Sequence, residues 1–178
     1  HGILYGASGS LWWGTIGVIY FKSSSFAGPI ELVVHRTIWT AFSLIITTSL
    51  FSKWDSFFYI IKKKREMFYL LITGILIFCN WSTWIYAVVT NKLIDASFGY
   101  FIMPILSVFL GYIFFKEKLN IKRIISIGLV LISISFLLLF NFNSIPWVGL
   151  IVALSWGFYN LLRKKINVDT SAGLLVES

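Results

Sequence analysis

The chain has 178 residues, of which 58% are hydrophobic and only 12% charged. Soluble domains carry about 25% charged residues, and a single core of this size could not enclose so much apolar surface, so a soluble fold is excluded. The formal charge of +8 does not mark a nucleic-acid binder, because the basic residues fall in short clusters between long apolar runs, the pattern of membrane topology.

About 20 apolar residues span a bilayer as a helix. Six segments have or approach that length: Gly2–Phe21, Ile30–Phe51, Met67–Thr90, Phe98–Phe115, Ile124–Phe140 and Pro146–Leu162, with a seventh starting near Ala172. Barrel strands would be half as long and would alternate, so an all-α, polytopic transmembrane helix bundle is predicted.

The first segment places Gly2, Gly6, Ser10 and Gly14 four residues apart, a small-residue groove suited to close helix packing. The second places Glu31, His35 and Trp39 on one face, with Arg36 about 9 Å into the segment at 1.5 Å per residue. Two readings stand for these residues: an interfacial anchor in which Arg36 pairs with Glu31, or the polar wall of a transport cavity. In the second reading His35 can also take a proton.

The third segment carries Asn80, Trp84 and Asn91 near one face, with Trp81 beside them. A lone Asn serves as interhelical glue, and its aromatic company suits the wall of an organic-solute cavity. Cys79, the sole cysteine, reads as a buried structural thiol. The fourth segment aligns Ser97, Tyr100, Pro104, Ser107 and Gly111. Pro104 frees the carbonyl of Tyr100 from its helical partner, leaving it for a cavity or a neighbouring hydroxyl; a simple packing kink is the other reading. Glu117, within Lys116-Glu117-Lys118, is either a solvated charge or a brace for an inner gate.

Connections two, four and six hold twelve basic residues, against Lys22 and Lys92 in the odd ones. The positive-inside rule then places the even connections and the N-terminus in the cytoplasm. Trp13-Gly14 and Lys22 recur as Trp156-Gly157 and Lys165 at a constant offset of 143 residues. Five helices separate the copies, so the second enters upside down, as in inverted-repeat transporters. The expected units are residues 1–142, a five-helix repeat, and 143–178, the start of a second, incomplete one. The chain opens at His1 and closes in an apolar stretch at Ser178, and is read as a little over half of a longer protein.

Several stretches carry a resemblance: His35-Arg36-Thr37-Ile38-Trp39, Asn80-Trp81, Ala96-Ser97-Phe98-Gly99-Tyr100-Phe101-Ile102-Met103-Pro104, Lys116-Glu117-Lys118-Leu119 and Phe158-Tyr159-Asn160-Leu161-Leu162-Arg163-Lys164-Lys165. In this order the chain resembles the drug/metabolite transporter superfamily, and within it the RarD-type permeases of the EamA family. The resemblance implies ten helices in two inverted five-helix repeats, a central cavity, alternating access and a multi-pass location in a bacterial-type cytoplasmic membrane. It implies no cofactor and no metal. The expected function is secondary transport of small organic metabolites or drugs.

The expected substrate path, drawn from spacing and from the matched stretches, comprises His35, Arg36, Trp39, Asn80, Trp81, Trp84, Tyr100, Pro104, Trp13 and Tyr159, with Glu31 and Glu117 as gating or ion-pair residues. The expected partners are the lipid bilayer and a small-molecule solute, not nucleic acid. His35 and Glu31 suggest proton coupling, and homodimerisation is left open. A membrane-embedded enzyme would need a nucleophile with its base, a metal cluster or paired carboxylates, and the seven acidic residues are scattered. A non-transporting scaffold gives no reason for polar residues within three apolar segments.

Overall fold

The computed structural model describes residues 2–51, 53–141 and 146–178, and every regular element among them is helical. The boundary expected between residues 142 and 143 lies outside them. The first run is α1 (Gly2–Trp12), a π-helical turn at Trp13–Gly17, and α2 (Val18–Ser23). Next come α3 (Pro29–Leu50), α4 (Trp54–Lys62), α5 (Lys64–Val89), α6 (Leu93–Phe115), α7 (Ile121–Asn141), α8 (Trp147–Lys165) and α9 (Thr170–Glu177).

Each predicted segment matches a helix, and the ends follow local chemistry. Pro29 opens α3 at the position where its missing N–H is harmless. Asp169 caps α9 by accepting from the backbone N–H groups of Ser171 and Ala172 at 3.1 and 3.2 Å. Its carboxyl is held below the ordinary range, chiefly by the Ala172 N–H and further by Lys53 at 3.3 Å. Asn91 and Lys116 adopt left-handed conformations just past α5 and α6. The chain therefore turns at Asn91, which is exposed and takes no part in the face shared by Asn80 and Trp84.

Two local features were not anticipated. The first segment is interrupted by the π turn, which brings the Trp13 ring over Gly17; a Cβ there would lie 3.0 Å from the indole. The second connection contains α4, whose Ile60 buries against Leu70 of α5 and Ala172 of α9. Phe58 and Tyr59 stay exposed on α4, as suits an amphipathic helix lying in a membrane interface.

Among the described residues, four helices are long and apolar enough to cross a membrane: Pro29–Leu50, Lys64–Val89, Leu93–Phe115 and Ile121–Leu139. The π turn divides the first run into shorter pieces, and α8 ends in Arg163, Lys164 and Lys165. The burial pattern is that of a protein solvated by hydrocarbon. Phe26 is 91% exposed, Leu139 80% and Ile132 69%, while Thr48, Thr73, Asn80 and Ser155 are buried.

The packed centre is α8 against α5 and α6. Gly99 of α6 and Gly149 of α8 make the closest crossing: a Cβ on Gly99 would lie 2.5 Å from the Gly149 carbonyl oxygen, and one on Gly149 would strike the Asp95 carbonyl. Only glycines allow that approach. A Cβ on Gly2, Gly6 or Gly14, by contrast, would meet nothing within 4 Å among the described residues.

Candidate functional site

A cavity of about 360 Å³ lies where the π turn, α5, α6 and α8 meet. Trp13, Trp81, Trp84, Tyr100 and Trp156 supply aromatic walls, Met103 and Val152 add apolar surface, and Asn80 contributes the amide. The indoles brace one another. Trp13 lies 5.0 Å from both Trp81 and Trp84 between ring centres, edge-on to the first and tilted to the second. Phe21 closes on Trp84 from behind at 5.6 Å.

Asn80 is oriented by α8. Its Nδ2 donates to the Val152 carbonyl at 2.9 Å and to Ser155 Oγ at 3.0 Å. The Ser155 hydroxyl donates to the Ile151 carbonyl at 2.6 Å, so it presents a lone pair to Asn80. Both partners are acceptors, which assigns the nitrogen to that side and leaves the carbonyl oxygen as the acceptor available to a solute.

Five expected path residues therefore share this cavity: Trp13, Asn80, Trp81, Trp84 and Tyr100. His35, Arg36, Trp39 and Glu31 line a separate cleft of about 740 Å³ between α2 and α3. Glu31 lies 4.0 Å from His35 across one helical turn and makes no ion pair with Arg36. Arg36 instead places its guanidinium carbon 3.4 Å above the centre of the Trp81 ring. That indole lines the aromatic cavity, so Arg36 stands one ring away from it.

Pro104 opens onto a third cavity, of about 510 Å³, with Ser107, Gly111 and Glu117. Glu117 pairs there with Lys164 of α8 and, at 3.4 Å, with Arg123 of α7. Lys164 first and Arg123 second hold its carboxyl below the ordinary range. It is thus a partnered charge joining three helix ends.

Tyr159 does not face the aromatic cavity. It stacks behind Trp156 at 5.4 Å and donates to Glu177 at 3.2 Å. Glu177 also accepts from Thr73 at 2.6 Å and lies 3.6 Å from Arg163. Its side chain is only 2% exposed and that of Arg163 15%. This buried polar cluster ties α5, α8 and α9 together, and no spacing rule pointed to it because its members come from distant positions. Met103, Val152 and Trp156 are wall residues outside the expected path, although the match of Trp156 to Trp13 in the 143-residue offset was a usable signal. Cys79 corrects the expectation of a buried thiol: it is exposed on α5.

The family model for EamA-like transporters matches residues 1–139. The chain belongs to this family. It is 37% identical over 177 residues to an uncharacterized transporter of Vibrio cholerae, covering 99% of this chain and 58% of the relative. It is 32% identical over 178 residues to protein RarD of Escherichia coli, and equally to that of Salmonella typhi, covering all of this chain and 60% of each relative. The chain thus spans about three fifths of the length of these curated relatives. No solved structure matches it. Family and helices together make this a multi-pass membrane protein of bacterial type.

Proposed function

We propose that this chain forms the first five-helix repeat and the opening of the second in a secondary transporter of small organic solutes, and that the aromatic cavity is its solute site. The observation that carries the reading is the cavity itself. Five aromatic rings surround one oriented amide in about 360 Å³, within the range of small-molecule sites. Trp13 and Trp156, related by the 143-residue offset, both line it. That placement supports an inverted pair of repeats meeting at a solute site.

In this reading the solute binds by stacking and by donating a hydrogen bond to Asn80, and the repeats rock about it in alternating access. The N-terminus is cytoplasmic, as the distribution of basic residues favours. The polar bracing at Glu117 and at Glu177 holds helix ends on the cytoplasmic side of the cavity. The chain supports transport rather than catalysis, because the cavity offers π-faces and one amide and no nucleophile paired with a base.

The test is flux of a metabolite panel into proteoliposomes holding the complete protein. Trp156→Ala and Asn80→Ala should each lower flux of a transported solute by about tenfold or more. Both variants should remain folded by melting in detergent. Undiminished flux in both variants removes the cavity as the solute site.

A further inference from the structure

We propose that Arg36 is the anion-binding residue of the α2–α3 cleft and takes the carboxylate of an organic anion with a flat aromatic body. The proposal rests on the solute-transport reading and adds the chemical class of the solute.

Arg36 lies within α3, one of the helices able to cross a membrane, and no carboxylate among the described residues lies within 4.0 Å of its guanidinium. A permanent charge there needs an anion, since hydrocarbon solvates it poorly. Neither acidic residue that shares a cavity with Arg36 forms an ion pair with it. Glu31 lies by His35 at 4.0 Å. Glu177 is held by Thr73, Tyr159 and Arg163.

The contact Arg36 does make prepares it for an anion. A separation of 3.4 Å from the Trp81 ring centre allows only a face-on stack. In that arrangement the indole covers one face of the guanidinium and the N–H edges stay free in its plane. A planar fork of donors matches a carboxylate with two parallel hydrogen bonds. The rest of the cleft suits the body of such a solute: Tyr20, Phe21 and Trp39 line about 740 Å³. Trp81 also lines the aromatic cavity, so a solute held at Arg36 is one ring from the central site.

Equilibrium dialysis of two radiolabelled probes against the complete protein in vesicles tests this. Indole-3-acetate and indole-3-acetamide have nearly the same shape and differ in charge. Phosphatidylcholine vesicles should show the acetate binding about tenfold tighter or more than the amide. Arg36→Gln should lower acetate binding to about that of the amide and so abolish the preference, and Arg36→Lys should keep part of it. The comparison of probes on the unaltered protein needs no variant to fold.

Equal binding of the probes, or absence of binding by both, overturns the proposal. So does an equal loss of both on Arg36→Gln. An acetate preference that disappears when phosphatidylglycerol replaces phosphatidylcholine, in salt high enough to screen the surface charge, overturns it too, because an anionic lipid headgroup then occupies Arg36. Flux of uncharged panel solutes separates the two ideas: if it persists without any preference for anions, only this proposal fails, whereas no flux of any solute removes the transport reading as well.

Discussion

Asn80 of α5 and Ser155 of α8 are joined at 3.0 Å by a hydrogen bond whose direction is set by the Ser155–Ile151 bond behind it. An amide in the cavity wall is therefore also a tie between two helices of the packed centre. The two roles separate on mutation. Interhelical hydrogen bonds in membranes contribute about 0.6 kcal/mol on average. Asn80→Ala is accordingly expected to lower stability by roughly 0.5–2 kcal/mol, a modest shift in detergent melting, while solute flux falls far more.

Gly99 and Gly149 allow α6 and α8 to cross backbone to backbone. Gly99→Ala places a methyl group against the Gly149 carbonyl and forces the helices apart. A destabilisation of about 1–3 kcal/mol is expected from such overpacking. Gly128→Ala on α7, whose added Cβ meets nothing within 4 Å among the described residues, should be neutral or slightly stabilising because Ala is the better helix former. Parallel melting curves of the two variants check the contrast.

The Glu177–Arg163 pair is largely shielded from solvent, with the Glu177 carboxylate the more enclosed of the two. Removing one partner strands the other charge, so Glu177→Leu is expected to cost about 3–5 kcal/mol. Replacing both, with Arg163→Met added, should recover much of that loss, because a well-packed apolar pair often matches a buried ion pair. Melting of the single and double variants gives the coupling directly.

Glu117 supplies a pH test. Its carboxyl is held below its ordinary value of 4.5 by Lys164 and then Arg123. Its stabilisation is fully present above 4.5 and is lost as pH falls through the lowered value. Melting from neutral to acid pH should therefore show the advantage of the unaltered protein over Glu117→Gln shrinking below that point. Added salt should shrink it at neutral pH as well, since the group is partly exposed and its pairs are screened.

Losing the α9 cap has a predictable size. Asp169→Ala removes the acceptor for two backbone N–H groups and should cost about 1 kcal/mol. Asp169→Asn keeps an acceptor at the same position and should cost less, losing mainly the contact with Lys53 at 3.3 Å. Melting of the two variants beside the unaltered protein checks the order.

Run length and charge placement determined the helices and the all-α class. Apolar side chains in hydrocarbon must sit on segments that satisfy their own backbone, and that requirement is local. The same locality made Glu31, His35 and Trp39 readable as one face and Trp13 and Trp156 readable as counterparts. Helix α4 escaped because a short amphipathic stretch lacks the length that marks a span, and the π turn at Trp13–Gly17 escaped because it leaves the apolar run unbroken.

What only the tertiary structure decided is which polar residues meet. Arg36 could have paired with Glu31, one helix turn away, yet its guanidinium stacks on Trp81 of another helix. Tyr159 could have faced the cavity with Trp156, yet it turns to a carboxylate from α9. Such choices follow from helix rotation and crossing, set here by the glycine contact of α6 with α8 and by the buried polar bonds among α5, α8 and α9. Those contacts join residues far apart in the chain, so no pattern along it could announce them.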